Sequence, residues 1–281
     1  MYFPKEFRPL VPPPYAPAAV GRWSIAEAPP ERRRHVLGYF RNRLPMPDRN
    51  WCLRRGGEVW MSQTPMELES QGYHARMAAG HVLVCGLGMG TLVYNLLRNP
   101  KVERVSVLEK ELDVVRLLEA AAPWFKEERF RTGSRLSVRV CDALEFVPGK
   151  VFRAGNPDLL LVDVWRRLGE DGTEADVLKI QANVRAERVG WWGQELDLVS
   201  WLQANGNRLP LTGGDVARWQ AHLGFKVLGA EHPYYPALAL AAATWVAFTQ
   251  SWRSHGSEAA RADTGTARRE THAAAVQTGL P

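Results

Sequence analysis

His81-Val-Leu-Val-Cys85-Gly-Leu-Gly-Met-Gly90-Thr91 decides how this chain is read. The apolar run ending at Cys85 predicts a buried strand, and the residues from Thr91 through Leu97 predict a helix. Between them sit three glycines, at 86, 88 and 90. A strand that ends in close-set glycines and opens a helix lets a ligand approach the backbone at the carboxyl edge of a sheet. A second apolar run, Val105 to Leu108, ends at Glu109, which is placed to accept hydrogen bonds from the two hydroxyls of a ribose. A dinucleotide-binding G-x-G-x-x-G fingerprint would need glycine at position 91, where the chain has Thr91.

Outward from this centre, strand and helix patterns alternate. Upstream, Glu58 to Ser62 reads as a short strand. Thr64-Pro65-Met66-Glu67 then predicts a helix start with Thr64 as N-cap, Pro at the first position and Glu three residues after the cap, running to about Ala79. Downstream, Leu112 to Ala122 is a predicted helix ended by Pro123, and Leu136 to Cys141 a third sheet strand. Leu159 to Val164, apolar throughout, has the pattern of a strand covered on both faces. A helix over 173–186 with the capping pattern Thr173-x-x-Asp176 follows, then a strand Val189 to Trp192 and helices Glu195 to Ala204 and Asp215 to Leu223. Strands at Phe225 to Leu228 and Thr244 to Thr249 complete the pattern. Together these predict an α/β fold with a seven-stranded, mostly parallel sheet and helices on both faces.

The composition of the 281 residues, 46% hydrophobic and 23% charged, excludes collagen-like, coiled-coil and wholly disordered chains. No stretch reaches the roughly 18 apolar residues of a membrane span. The start, Met1-Tyr-Phe-Pro-Lys-Glu, has no basic region leading into an apolar run, so a cytoplasmic address and no membrane partner are expected. Cys52, Cys85 and Cys141 form neither a disulfide framework nor a metal-binding pattern, and no metal is expected. The net charge of +6 is concentrated in residues 1–50, which hold nine Lys/Arg against four Asp/Glu. With ten of the nineteen prolines, that segment is expected to be an extended arm, with a short basic helix from Glu31 to Leu44. Residues 253–281 contain no aromatic and are expected to be a disordered tail. The predicted organisation is therefore an arm (1–50), a strand-plus-helix segment (51–80), a catalytic domain (81–252) and a tail (253–281).

The glycine spacing, Glu109, Cys141-Asp142-Ala143 after the third sheet strand and Asp158-Leu-Leu-Leu-Val-Asp163 at the fourth resemble the motifs of class I S-adenosylmethionine-dependent methyltransferases, whose Rossmann-like fold the strand pattern matches. Within that superfamily the chain looks most like the spermidine synthase branch. The likeness rests on Gly57-Glu-Val-Trp-Met-Ser through Tyr73-His74, on Val189-Gly-Trp-Trp-Gly-Gln194 and on Pro233-Tyr-Tyr-Pro236. The resemblance implies S-adenosyl-L-methionine as cofactor, with decarboxylated S-adenosylmethionine as the alternative. It also implies that Gly86, Leu87, Gly88 and Gly90 serve the methionine part, Glu109 the ribose, and Asp142 with Ala143 the adenine, while Asp163 lies where cofactor and acceptor meet.

Aminopropyl transferases place Asp-x-x-Asp after the fourth strand to hold a cationic polyamine; here Asp163 is followed by Arg166 and Arg167. Two guanidiniums there would repel a polyamine, which favours methyl transfer to a neutral or anionic small molecule. Asp163 is the first candidate general base and His74 the second. Gln71, Trp165, Arg166, Trp192, Gln194 and Tyr235 are candidate acceptor-side residues, and Glu67, Gln71 and His74 share one helical stripe. The rival readings are an aminopropyltransferase and a non-catalytic protein of the same fold that meets nucleic acid through the arginine-rich segment 32–55. A homo-oligomer is left open.

Overall fold

The computed structural model describes residues 5–28, 35–41, 44–45, 49–147, 156–206 and 210–247. After a 3-10 turn at Lys5–Phe7 come β1 (Ala18–Val20), β2 (Trp23–Glu27), β3 (His35–Val36), β4 (Leu44–Pro45), β5 (Trp51–Arg55) and β6 (Glu58–Ser62). β1, β2, β5 and β6 form one antiparallel sheet in that order, and β3 pairs with β4. This corrects two expectations. Residues 1–50 are not an arm, because strands on both sides of position 50 share a sheet. The described part of 31–44 is not helical, because His35–Val36 and Leu44–Pro45 pair as strands. Period-two burial explains the sheet: Trp23 and Ile25 on β2, like Trp51 and Leu53 on β5, face its core side. Proline content masked that alternation. The expected tail, 253–281, lies outside the described residues.

Residues 10–16 run extended as a strap over the rest of the molecule. The Leu10 N–H donates to the Leu68 carbonyl and the Ala16 N–H to that of Ala121. Val11 exchanges two hydrogen bonds with the Asn95 side chain, and the Tyr15 hydroxyl donates to the Met89 carbonyl. The helix after Thr64 comes in two pieces, α1 (Pro65–Ser70) and α2 (Gly72–Met77). A Cβ at Gly72 would lie 1.9 Å from the Arg8 carbonyl oxygen, so the chain that crosses there needs a glycine. Thr64 occupies the N-cap position, but its hydroxyl donates to Glu67 instead of capping.

The main sheet contains β7 (Gly80–Cys85), β8 (Val102–Glu109), β9 (Leu136–Val140), β10 (Leu159–Val162), β11 (Arg188–Trp191) and β12 (Lys226–Val227). All pairings are parallel, in the order β12-β11-β10-β7-β8-β9. The connecting helices are α3 (Thr91–Arg98), α4 (Leu112–Ala121), α5 (Pro123–Phe130), α6 (Thr173–Val184), α7 (Gln194–Ala204) and α8 (Gly213–Leu223). This is a Rossmann-like α/β fold with six sheet strands among the described residues.

The expected seventh strand is absent there, because residues 235–247 form a helix, α9. Its buried Tyr235, Leu238, Ala239, Ala242 and Val246 recur at helical spacing, and its alanine-rich sequence favours the helix. Other expected strands and helices are present with bounds shifted by a few residues. The Thr173 capping pattern is not used: Gly172 precedes α6, and the Thr173 hydroxyl donates to Asp197.

The two faces of the sheet are covered by different sets of helices. Val82, Val84, Val105 and Val107 pack in one core with Leu96, Val115, Leu118 and Phe125. Leu83, Cys85, Leu160 and Val162 pack in the other with Val177, Ile180, Leu198 and Val199. Each such side chain fully removed from water contributes about 1.5–3 kcal/mol.

Strand order reverses between β7 and β10, where a doubly wound sheet opens a crevice at its carboxyl edge. There Gly86 has φ +93°, and a Cβ on it would stand 1.9 Å from the Asp163 carbonyl oxygen. Gly86→Ala is therefore expected to lower stability by about 2–4 kcal/mol, from left-handed strain plus forced separation of the strand ends. Urea unfolding of the variant measures it, and a loss below ~0.5 kcal/mol would show that the approach is relaxed.

Candidate active site

A cavity of about 260 Å³ opens at this crevice. Gly86, Gly88, Leu108, Glu109, Cys141, Asp142, Ala143, Asp163, Trp165 and Trp192 line its floor and sides. Its roof comes from the N-terminal sheet: Trp23, Leu53, Trp60 and Met61. The roof is close to the floor, since a Cβ on Gly88 would meet the Met61 sulfur at 2.8 Å.

Glu109 is fixed by backbone. Its Oε2 accepts from the Leu87 N–H at 2.8 Å and its Oε1 from the Glu111 N–H at 2.9 Å. Each oxygen keeps a further lone pair. Burial pushes its pKa up against the pull of these donors. Leu87 contributes through this N–H and does not line the cavity. Gly90, also outside the lining, has φ +71° at the start of α3, and a Cβ there would press on Leu118 and Trp124. Asp142 accepts from the Leu144 N–H, which shapes the turn holding Ala143.

Two carboxylates face the middle of the cavity. Asp163 Oδ2 accepts from Gln71 Nε2 at 2.7 Å, and burial raises its pKa to about 6. Gln71 thus stands behind Asp163 as its orienting partner. Glu67 comes from α1: its Oε2 accepts from the Ser62 N–H at 2.9 Å, from the Ser62 hydroxyl and from Thr64 Oγ1 at 3.3 Å. Burial, with a smaller contribution from the charge on Asp163, lifts its pKa to about 7. The sequence reading placed Glu67 in a helical stripe and three residues after the Thr64 cap, and not among the site residues. Its signal was the Ser62-x-Thr64-x-x-Glu67 spacing, which serves the carboxylate and not a helix cap.

Several candidates lie elsewhere. His74 is buried against Tyr73, with Nε2 3.3 Å from Gln194 Oε1, and burial lowers its pKa to about 4. It does not line the cavity, so the structure gives it no contact with a group bound there. Gln194 is consumed by the fold: it accepts from the Trp191 N–H and donates to the Leu228 carbonyl and the Tyr235 hydroxyl. Tyr235 is fully buried in the same cluster. Arg166 pairs with Glu58 at 2.9 Å and lies over the Trp60 ring, outside the lining. The guanidinium read as a barrier to cations is thereby engaged. The lining itself carries Glu67, Glu109, Glu111, Asp142, Asp163 and Asp176 against Lys110 alone. Trp165 and Trp192 do wall the cavity, anchored by hydrogen bonds to Asp176 and Ser70. Among the described residues no cluster suited to a metal is present, and no helix is long and apolar enough to cross a membrane.

No protein-family model matches the chain, and no curated protein sequence matches it. Solved structures similar to it are mostly class I S-adenosylmethionine-dependent methyltransferases, with spermidine synthases among them. The likeness is one of fold. Spermidine synthase from Thermotoga maritima is 14% identical over 61% of this chain and 53% of its own, with a TM-score of 0.36. The N-methyltransferase NodS from Bradyrhizobium japonicum, in complex with S-adenosyl-L-homocysteine, is 17% identical over 38% of this chain and 48% of its own, with a TM-score of 0.27. YcgJ from Bacillus subtilis is 18% identical over 41% and 45%, with a TM-score of 0.29. The chain thus spans about half the length of each. At these values the strand order, and not the comparison, defines the fold.

The raised pKa of Glu67 has a definite sign. Between about 4.5, its ordinary value, and about 7, the folded protein holds a proton that the unfolded chain has lost. The stability this adds is complete at low pH and is lost as pH rises through 7. Glu67→Gln is therefore expected to gain stability relative to the native protein as pH rises across that window. Urea unfolding at a series of pH values tests this, and a pH-independent difference between the two proteins would refute the raised value.

Proposed function

We propose that this protein is an S-adenosylmethionine-dependent methyltransferase. The observation that carries the reading is the placement of Glu109 beside the Gly86–Gly88 loop, both lining one cavity at the point where strand order reverses. The residues present fit the group. Glu109, held at the end of β8, has lone pairs for a ribose diol, and the absent side chains of Gly86 and Gly88 leave the loop free for close approach. Asp142 and Ala143 stand where an adenine edge would be met. When bound, S-adenosylmethionine would supply an electrophilic methyl group on a sulfonium.

The chain's own residues would do the rest. Trp165, Trp192 and the roof from the N-terminal sheet enclose the acceptor and exclude water. Positioning supplies most of the acceleration available to an in-line displacement. Asp163, oriented by Gln71 and with its pKa raised toward neutrality, is suited to hold the proton an acceptor releases. The acidic lining favours a neutral acceptor over an anionic one.

An aminopropyltransferase using decarboxylated S-adenosylmethionine is the second reading. The same acidic lining, and the pairing of Arg166 with Glu58, favour it. Formation of spermidine from putrescine, followed by chromatography, would select it over methyl transfer.

Calorimetry with S-adenosylhomocysteine is the direct test. The native protein is expected to bind one equivalent, and Glu109→Ala to weaken binding at least about tenfold while keeping a cooperative thermal transition. Absence of binding by the native protein would sink the reading.

A further inference from the structure

Beside the cavity, the face of β8 and β9 that carries Ser106 and Ser137, together with the His81 end of β7, is left without a covering helix among the described residues. Of the described residues between β9 and β10, a turn with Ala143 and Phe146 packs against it. Register defines what that face presents. His81 on β7 stands opposite Arg104 on β8, Ser106 opposite Ser137 on β9, and Leu108 opposite Arg139. The three small polar groups touch: His81 Nε2 is 2.9 Å from Ser106 Oγ, and Ser137 Oγ lies 3.1 Å from the same oxygen. Arg104 lies two residues before Ser106 and Arg139 two residues after Ser137. Their Cα atoms lie about 7 Å along the strands to either side of those of the hydroxyl pair, so that long side chains there can reach a group seated above it.

The charge of this cleft, which measures about 410 Å³, is one-sided. Its polar lining among the described residues is arginines, serines and His81, with no carboxylate; Asp158 accepts from the His81 backbone N–H at 2.7 Å. No described carboxylate forms an ion pair with Arg104 or Arg139, and both are exposed. The third arginine, Arg135, is occupied by the carbonyls of Val102 and Leu97. Burial and, after it, the nearness of Arg104 lower the His81 pKa against an opposing pull from Asp158; basic groups directly opposite on adjacent strands destabilise a sheet, as a protonated His81 opposite Arg104 would. A bound anion would reverse that penalty. Two hydroxyls and an imidazole flanked by two guanidiniums match the oxygens of one phosphate group. The face presents no exposed aromatic on which nucleic-acid bases could stack, so a small ligand suits it better than a single strand.

We propose that the β7–β8–β9 face is a binding site for a phosphate-bearing small molecule, with Arg104, Arg139, Ser106, Ser137 and His81 as its contacts. Its polar contacts differ from those of the cavity, although Leu108 borders both, and the proposal does not depend on the methyltransferase reading.

Calorimetry of the full chain with inorganic pyrophosphate tests it, with and without S-adenosylhomocysteine. Binding of one equivalent is expected, unchanged by S-adenosylhomocysteine. Arg104→Glu and Arg139→Glu should each weaken it about tenfold or more. Lys126→Glu, an equal charge change on the exposed side of α5, should leave it within about twofold. No heat at about 10 mM pyrophosphate, or equal weakening by all three variants, would overturn the site. A fluorescent single-stranded RNA that needs Arg104 and Arg139, yet is not displaced by pyrophosphate, would overturn the choice of ligand.

Discussion

The approach of Gly86 to the Asp163 carbonyl is the constraint on which the rest of the site depends. The Gly86 N–H donates to the Leu108 carbonyl, and the Asp163 N–H donates to that of Cys85, so three strand ends are drawn together. A side chain at position 86 would wedge them apart. With the glycine in place, the chain leaves β7 and β10 in opposite directions and a crevice opens between them. Glu109 at the end of β8 and Asp163 just after β10, on either side of β7, then face one space without either having to be carried on a flexible loop.

That space becomes a cavity only because a second sheet closes it. Trp23, Leu53, Trp60 and Met61 bring apolar surface over a floor rich in carboxylates. The combination has an electrostatic result. Removing water raises the pKa of both Asp163 and Glu67, while the hydrogen bonds from Gln71 and Ser62 keep each within a pH unit or so of neutrality. Glu195, buried between the Tyr39 and Tyr73 hydroxyls, shows the same balance outside the cavity, with its pKa lifted to about 7. Desolvation is the common cause, opposed in each case by the hydrogen bonds that the carboxylate accepts.

The central motif was readable because its residues answer to local rules. Glycines after an apolar strand, and an acidic residue ending the next one, need only chain order to be placed. The N-terminal sheet was missed because the pairing of Trp23–Glu27 with Trp51–Arg55 is non-local, and the prolines between them suggested an arm. The strand assigned to 244–249 failed where helix propensity and the spacing of Ala239, Ala242 and Val246 outweighed a short β-branched run. His74, Gln194 and Tyr235 looked functional because polar residues near a site attract that reading. Each is spent on satisfying buried neighbours. The pairing of Arg166 with Glu58 could not be inferred, since it spans two sheets whose relative placement the sequence does not encode locally.

The strap of residues 10–16 carries a consequence for how the molecule assembles. Its bonds join positions far apart in sequence, 74 residues from Tyr15 to Met89 and 84 from Val11 to Asn95. Closing such loops is entropically costly and slow, so these contacts form late, on a body that is already ordered. The roof, tethered through that strap, completes the cavity only once the parallel sheet beneath it exists, so a partly folded chain exposes the glycine loop without offering an enclosed site.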